Sequence, residues 1–220
     1  MLARQKRDHV VLDQLLHRLG ETNGPDRDEV LTRISRLVFP HAFAEEAVLW
    51  PAIRASLPDG EELTLRIERE HQEVNELFAE LERTPHGDPR SAELLDRIVA
   101  VLREDVRDEE DLLLPRLQAA LSPARLRRLG RAWELVRRTA PTRPHPVVAR
   151  RPPGNALAAL PLTVLDRSRD RLDRVARSRR GRVAAGSRTV SAGLARVAGA
   201  VEHLPPLRRG EDPSTRPEAA

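Results

Sequence analysis

Four amphipathic stretches follow one another in the first 121 residues of the chain. In each, apolar residues recur at spacings of three and four, the period of an α-helix with one buried face. The stretches are residues 2–20, 26–57, 59–83 and 88–121. Turn-forming clusters separate them: Asn23-Gly24-Pro25, Pro58-Asp59-Gly60 and Thr84-Pro85-His86-Gly87. Because short connections favour antiparallel neighbours, the pattern predicts an all-α fold built on an up-down four-helix bundle.

The remaining residues divide into a fifth helix and an extension. Ser122 followed by Pro123 is typical of a helix start, so a helix is predicted over Pro123–Arg138. Five prolines between Pro141 and Gly154 end the compact part. We therefore predict a helical domain over residues 1–140 and a Pro/Arg-rich basic extension over residues 141–220. Within the extension, residues 160–178 and 187–204 are predicted to be short helices, and residues 208–220 to be disordered.

An internal repeat relates the two halves of the predicted bundle. His41–Leu57 aligns without a gap on Asp105–Leu121, sharing a Glu-Glu pair, a proline and the final leucine. A second alignment sets Asp8–Leu19 against Glu70–Leu81. Because the two offsets, 64 and 62 residues, nearly agree, the first two helices repeat as a unit in the next two. The repeat predicts a pseudo-twofold bundle.

Each of the four predicted helices carries histidine or carboxylate side chains on its apolar face. Residues four apart lie one turn above each other, so two such pairs can each bind one ion. A buried carboxylate costs several kcal/mol unless it is neutralised, paired or bound to a metal. Since no lysine lies on these faces, the pattern predicts a di-metal centre. Its predicted ligands are His9, His41, Glu45, His71, Asp105 and Glu109.

For each of these residues taken singly, a simpler interpretation competes with the role of metal ligand. A lone histidine on an apolar face is more often a hydrogen-bonded core residue, which is the alternative for His9 and His71. The coincidence of four inward positions related by the repeat favours the metal. Histidines without such context are assigned no role, namely His17, His86, His145 and His203. The acids that rotate away from the apolar face are predicted to be solvated, namely Glu46, Asp108, Glu110 and Asp111.

Four motifs resemble those of the hemerythrin-like, HHE cation-binding family: DHVVLDQLL, HAFAEEAVLWP, EHQEVNELF and DEEDLLLP. The resemblance covers residues 1 to about 121. It implies an antiparallel four-helix bundle with two non-haem iron ions. It also implies that the centre takes oxygen, nitric oxide or peroxide, or serves iron or redox sensing. The positions that match the family's ligands are His9, His41, Glu45, His71 and Glu109.

Asp105 departs from the family pattern, which usually has histidine there. The internal repeat indicates the same exchange, because position 105 aligns with His41. A carboxylate in place of neutral imidazole adds one negative charge, which favours the higher iron oxidation state and makes manganese possible. Asn75 also stands where oxygen-carrying hemerythrins have a further histidine. A reversible oxygen carrier is therefore disfavoured relative to a redox or sensing centre.

Three function classes remain open from the sequence. We favour a binding or sensing protein whose di-iron centre takes a small diatomic ligand or changes oxidation state. The second class is an enzyme that consumes peroxide at a di-iron or manganese centre. The third is a metal-depleted interaction module with a basic tail that contacts nucleic acid. Whether the protein is an enzyme, and which protein partner it has, are left open.

Charge is distributed unevenly along the chain. Residues 1–140 carry a net charge of −5 and residues 141–220 a net charge of +9. A basic tail suits nucleic acid or an anionic surface. However, it has no aromatic residue for base stacking, and Asp166, Asp170 and Asp173 interrupt the arginines as in intrahelical ion pairs. We therefore expect no nucleic-acid binding, and expect instead a helix packed over the bundle at the mouth of the metal pocket.

Composition limits the other possibilities. The chain has no cysteine, which excludes disulfides and thiolate metal ligands. Its longest stretch without a charged residue, Pro152–Leu165, is interrupted by prolines. We therefore expect no signal peptide, no membrane span and no membrane partner. A cytoplasmic location is predicted.

Overall fold

The computed structural model describes residues 2–85 and 87–216 and confirms the all-α bundle. Within those ranges there is no strand, and the helices join through short turns in the first 139 residues. The helices are α1 Leu2–Glu21, α2 Gly24–Ala44, α3 Trp50–Arg54, α4 Gly60–Arg83, α5 Arg90–Asp108, α6 Leu114–Ala120, α7 Pro123–Thr139, α8 Gly154–Ser178 and α9 Gly181–Glu202.

Two π-helical turns interrupt the long second and fourth helices predicted from the sequence. Glu45–Leu49 joins α2 to α3, and Glu109–Leu113 joins α5 to α6. Pro51 and Pro115 follow at the same distance after each turn. Proline cannot donate to the carbonyl four residues earlier and its ring crowds that carbonyl, so the preceding turn widens. The two π turns stand 64 residues apart, which extends the internal repeat to the backbone.

The apolar core forms two layers on either side of a polar layer. One layer is centred on Ile34, Phe78 and Ile98 from α2, α4 and α5. The other contains Trp50 and Trp133, with Leu113 of the second π turn and Leu114 and Leu117 of α6. The sequence places the candidate ligands between these layers, because His41 and Glu45 lie between Phe39 and Leu49 on one chain segment. Five of the six candidate ligands are therefore buried, and Asp105 is partly exposed.

The extension begins with an irregular strap, residues 141–153, and continues as the antiparallel hairpin of α8 and α9. Both helices start six residues earlier than predicted. Pro161, near the predicted start of α8, lies inside this helix. The helix continues through it because Ala158 and Leu162 are buried in the extension's own core with Ala198 and Leu207. That residues 1–140 form a separate domain stays a prediction.

The end of the extension is more structured than predicted. Pro205–Arg208 and Pro213–Thr215 form 3-10 turns, and Thr215 is buried. The Glu211 carboxylate accepts the backbone N–H of Arg150, which ties this segment to the strap. The prediction of disorder is thus wrong for residues 208–216, because these local caps and one long-range contact hold the segment. Residues 217–220 lie outside the described part of the chain.

Three aspartates of α8 point inward, toward the strap. The Asp166 carboxylate accepts the backbone N–H groups of Thr142 and Arg143, and the Asp170 carboxylate accepts the Thr142 hydroxyl. Arg143 also donates to Asp170 and to Asp173. The prediction that these acids pair with the arginines of their own helix is wrong. These aspartates bind the strap instead, because the strap brings backbone donors and Arg143 to the buried face of α8.

Candidate metal centre

All six predicted ligands converge in the polar layer, and the first group forms around His9 and His41. The Nε2 atoms of these two histidines lie 3.3 Å apart. His9 Nε2 lies 3.2 Å from Glu109 Oε2, and His41 Nε2 lies 3.1 Å from Glu45 Oε1. Two imidazoles and two carboxylate oxygens from α1, α2 and the two π turns therefore surround one point.

The second group forms around His71. Its Nε2 atom lies 3.4 Å from Asp105 Oδ1, 3.9 Å from Glu45 Oε2 and 3.9 Å from Glu109 Oε1. Glu45 and Glu109 thus each present one oxygen to the first group and the other oxygen to the second. Two sets of donor atoms are each compact, with all members of a set within 4.8 Å of one another. One set comes from His9, His41 and Glu109, and the other from Glu45, His71 and Glu109. The arrangement can hold two cations bridged by two carboxylates.

Several donor atoms in these two groups have no hydrogen-bond partner in the described part of the chain. Among the described residues no hydrogen bond reaches either Glu109 oxygen, Glu45 Oε2, Asp105 Oδ1 or His71 Nε2, and all five atoms are buried. A buried polar atom without a partner costs free energy, and for a carboxylate the cost is large. Imidazole and carboxylate donors are the ligands that iron and manganese accept. The residues present therefore fit a pair of such ions.

In the metal-free protein, bound protons compensate part of the buried negative charge. Burial lowers the pKa of His41, but the carboxylates of Glu45 and Asp8 outweigh it and raise that pKa to about 10. The pKa values of His9 and His71 are raised by neighbouring carboxylates in the same way, against burial. Burial raises the pKa of Glu109, and the nearby charge of Glu45 adds to the effect. A metal ion must displace these protons.

Carboxylates also hold the outer nitrogen of each histidine. The Nδ1 atoms of His9 and His71 lie 2.8 Å and 3.0 Å from Glu110 and Glu46. The prediction that these acids are solvated is wrong for Glu46, which is buried, whereas Glu110 stays partly exposed while it contacts His9. Each π turn rotates the second glutamate of its pair toward a histidine. Both glutamates occupy the same place in the internal repeat. The shared Glu-Glu pair was therefore the signal that could have identified them.

Further contacts to the ligands were missed from the sequence. Gln5 is fully buried and its Nε2 donates to Glu45 Oε1 at 2.6 Å. It lies one turn before His9 on the same helix face, so a second polar residue on that apolar face was the available signal. Trp133 packs edge-on against the His41 ring at 5.2 Å. No sequence pattern placed α7, which carries Trp133, over this histidine.

The two groups differ most at Asp105. In the first group, the Asp8 carboxylate lies 3.3 Å from His41 Nδ1. The repeat sets Glu70 at the position of Asp8. Burial raises the pKa of Glu70 to about 8, and the charges that contribute to this rise are those of the carboxylates Asp105 and Asp108. Glu70 therefore occupies the place of a histidine partner whose histidine is absent.

The strap of the extension covers the outer side of the second group. Asn75 donates to the His71 carbonyl and accepts the backbone N–H of His145. Arg150 Nη1 lies 3.9 Å from Glu46 Oε1. The expected helix at the mouth of the metal pocket is wrong, because the extension reaches the centre through this irregular strap. The strap's buried polar contacts replace the apolar helix face that we anticipated.

The other histidines take no part in the described centre. His145 is buried between Asp166 and Glu202, whose carboxylates raise its pKa to about 9 although burial lowers it. This is the hydrogen-bonded core histidine of the simpler interpretation. His17 and His203 are exposed and bond to backbone carbonyls of their own helices. His86 lies outside the described residues.

Comparison with known proteins identifies the family. Residues 1–117 match the family model described as Hemerythrin HHE cation binding domain. The chain belongs to the hemerythrin HHE family. This hemerythrin-like chain is also similar to an uncharacterized hemerythrin-like protein of Schizosaccharomyces pombe, with 25 % identity over 135 residues, covering 61 % of this chain and 66 % of the relative. The chain thus spans slightly less than two thirds of that relative. No solved structure matches the hemerythrin-like chain significantly.

Metal affinity of this hemerythrin-like chain is expected to rise with pH. His41, with a pKa of about 10, is still protonated at pH 7, and His9 and His71 are shifted in the same direction. Each proton that a cation displaces strengthens binding up to about tenfold per pH unit. Calorimetric titration in buffers of different ionisation enthalpy should count more than one proton released per chain. A pH-independent affinity between pH 6 and 8 would contradict this assignment.

The same raised pKa values affect the metal-free protein. Stability from a histidine with a raised folded-state pKa is complete below its unfolded pKa and is lost as the pH rises through the folded value. We therefore expect the metal-free protein to lose stability between about pH 6.5 and 10. Thermal unfolding of metal-free and metal-loaded protein across this pH range measures the loss of stability. The metal-loaded protein should lose less stability than the metal-free protein.

Replacing Glu46 with alanine is expected to weaken metal binding about 10- to 100-fold, the usual effect of losing a carboxylate that orients a histidine ligand. Glu46 contacts the Nδ1 atom of His71 and is buried. Asp111→Ala is a matched control, since Asp111 is an exposed acid in the equivalent π turn. Competition with a chelator measures both affinities. Equal affinities in the two variants would rule out this role for Glu46.

Proposed function

We propose that this protein holds two iron ions in the polar layer and uses them to sense a small diatomic ligand or the redox state. The two carboxylates Glu45 and Glu109, each facing both groups of imidazoles, are the observation that carries the proposal. His9 and His41 would hold one ion, and His71 and Asp105 the other. When bound, iron supplies reversible one-electron chemistry and affinity for diatomic molecules.

The protein's own residues would prepare the centre for this role. Asp8, Glu46 and Glu110 hold the outer nitrogens of the three histidines, so each ring directs Nε2 inward. This contact fixes the tautomer and makes each imidazole a stronger donor. Gln5 holds one Glu45 oxygen in place. The pre-set donors reduce the rearrangement needed when a cation binds or changes oxidation state.

A small cavity beside the ligands limits what can reach the centre. It has a volume of about 20 Å³, which is room for roughly one water-sized molecule. Besides Asp8, Asp105 and the histidines, its lining is apolar, and all its lining residues belong to α1, α2, α4 and α5. The apolar lining residues are Leu12, Leu37, Val38, Ala42, Leu102 and Val106. Such a space suits oxygen, nitric oxide or peroxide and rejects a larger organic substrate.

Filling this cavity tests the proposal. Val38→Phe should leave the iron content unchanged and weaken the spectral response of the reduced, iron-loaded protein to nitric oxide about tenfold or more. Val10→Phe is the control, because Val10 is 58 % exposed on α1. A response that is identical in both variants would contradict access through the cavity.

Peroxide separates sensing from catalysis. A sensing centre should be oxidised once by peroxide and then stop, whereas an enzyme should consume many equivalents per chain. Sustained turnover that His41→Ala abolishes would replace the sensing role with the peroxide-consuming alternative. Parallel loading with manganese would show which metal supports either behaviour.

A further inference from the structure

The hairpin of α8 and α9 presents a strongly basic surface that the bundle does not neutralise. From Arg174 to Val201 the chain holds seven arginines and no acidic residue. Among the described residues only Arg177 of these seven has a carboxylate within ion-pair distance, that of Glu29. The unpaired arginines in that part of the chain are Arg174, Arg179, Arg180, Arg182, Arg188 and Arg196, all exposed.

The acids that could have neutralised this surface face the other way. Asp166, Asp170 and Asp173 bind the strap through Thr142, Arg143 and their backbone. Their inward orientation leaves the outer surface of the hairpin with one sign of charge. An uncompensated field of this kind attracts anions and is screened by salt.

An exposed apolar stripe runs along the same helix. Val183, Val190 and Val197 recur every seven residues on α9, and Leu204 follows at the next interval, with 58 %, 53 %, 49 % and 48 % of each residue exposed. Seven residues are almost two helical turns, so the three valines share one side of α9, and Leu204 lies just beyond the end of the helix. The buried side of α9, which includes Ala184, Ser187, Ser191 and Ala198, lies about a quarter turn away from the valines. Within residues 2–85 and 87–216, the apolar stripe therefore stays exposed and unpartnered.

The combination indicates which anion this surface binds. Nucleic acid would engage the arginines, but the extension has no aromatic residue to stack on bases and phosphates gain nothing from valine side chains. A protein helix would need a groove. A cavity of about 660 Å³ beside the hairpin is lined by Arg177 and Arg188 but by none of the three stripe valines. A lipid bilayer accepts both features, because headgroups pair with arginine and the acyl boundary receives apolar side chains.

We propose that the outer face of α9, together with the tip of its hairpin with α8, docks on an anionic lipid membrane. Contact lies on the surface of the bilayer, because no described helix is long and apolar enough to cross it. Arg182 and Arg196 lie about 20 Å apart along α9, since a helix rises 1.5 Å per residue. The valines are small, so charge dominates the binding. This inference revises our expectation of no membrane partner and does not depend on the metal.

Flotation of the full-length protein with vesicles tests this proposal. We expect binding to phosphatidylcholine vesicles that contain about 30 % phosphatidylglycerol, no binding to pure phosphatidylcholine, and release at about 0.5 M salt. Arg179→Glu with Arg180→Glu and Arg182→Glu should weaken binding at least about tenfold. The matched control is Arg127→Glu with Arg128→Glu and Arg131→Glu, the same charge change on exposed positions of α7.

The stripe provides the second arm. Val190→Ser with Val197→Ser keeps every charge and should weaken vesicle binding about fivefold. Circular dichroism should be unchanged in all variants, because the altered side chains are exposed. The proposal is overturned if the wild-type protein ignores anionic vesicles or if the α7 variant loses binding equally. It is also overturned if duplex DNA binds more tightly than the vesicles and the valine changes affect neither interaction.

Discussion

Replacing Glu109 with alanine is expected to remove both metal ions from the protein. Glu109 Oε2 lies 3.2 Å from His9 Nε2, and Glu109 Oε1 lies 3.9 Å from His71 Nε2. The variant therefore takes one donor oxygen from each group at once. Loss of a partner that only orients a ligand costs about 10- to 100-fold in affinity, so loss of a bridging ligand should cost at least about 100-fold at both positions.

Metal analysis measures this result directly. The number of ions per chain should fall from two to below about 0.5 at micromolar metal. Asp111→Ala, which removes an exposed acid two residues along the same π turn, should retain both ions. Glu109→Ala protein that still holds two ions would remove Glu109 from the centre. A loss of one ion alone would mean that the carboxylate does not bridge.

Replacing Asp105 with histidine is expected to keep both ions and raise their reduction potential. The change removes one negative charge from the centre, and a less negative donor set stabilises the lower oxidation state. The internal repeat sets Glu70 at the position of Asp8, and Asp8 contacts the outer nitrogen of His41. A histidine at position 105 should therefore find its partner in place, which predicts a folded and loaded variant.

Replacing Asp105 with alanine, in contrast, is expected to lower the metal content. Asp105→Ala removes the oxygen that lies 3.4 Å from His71 Nε2, so the second group should lose metal first. For Asp105→His, the matched control is Glu104→His, because it makes the same charge change at an exposed neighbouring position. The potential should shift in Asp105→His and stay constant in Glu104→His. Unchanged metal content in Asp105→Ala would place Asp105 outside the ligand set.

The sequence predicted the bundle and the meeting of its six polar residues because both depend on periodicity. His41 and Glu45 are one turn apart on an apolar face, and the repeat transfers the same geometry to Asp105 and Glu109. The centre needs no information beyond which faces turn inward. For this reason, four helices with a shared register were enough to bring the ligands together.

The residues around the ligands could not be predicted in the same way. An ideal helix places Glu46 and Glu110 toward solvent, and only the wider π turns direct them at His71 and His9. Pro51 and Pro115 marked those turns, but proline alone does not specify a π turn. Long-range partners such as Trp133 depend on how α7 packs, which periodicity leaves open.

The extension shows the same limit at a larger scale. Its helices were predictable from their apolar spacing, but the acids of α8 looked like partners for arginines of the same helix. Thr142 and Arg143 lie more than 20 residues away and bind Asp166 and Asp170 instead. Competition between a local ion pair and a buried long-range one depends on burial, which spacing along one helix does not reveal.

Titration of the metal-free, full-length protein with ferrous iron under anaerobic conditions tests the di-metal centre most directly. We predict an end point of two ions per chain, with protons released on binding. His41→Ala should weaken one of the two binding events, and Glu109→Ala should weaken both. An end point below about 0.5 ion per chain for the wild-type protein, with manganese giving the same result, would contradict the centre described above.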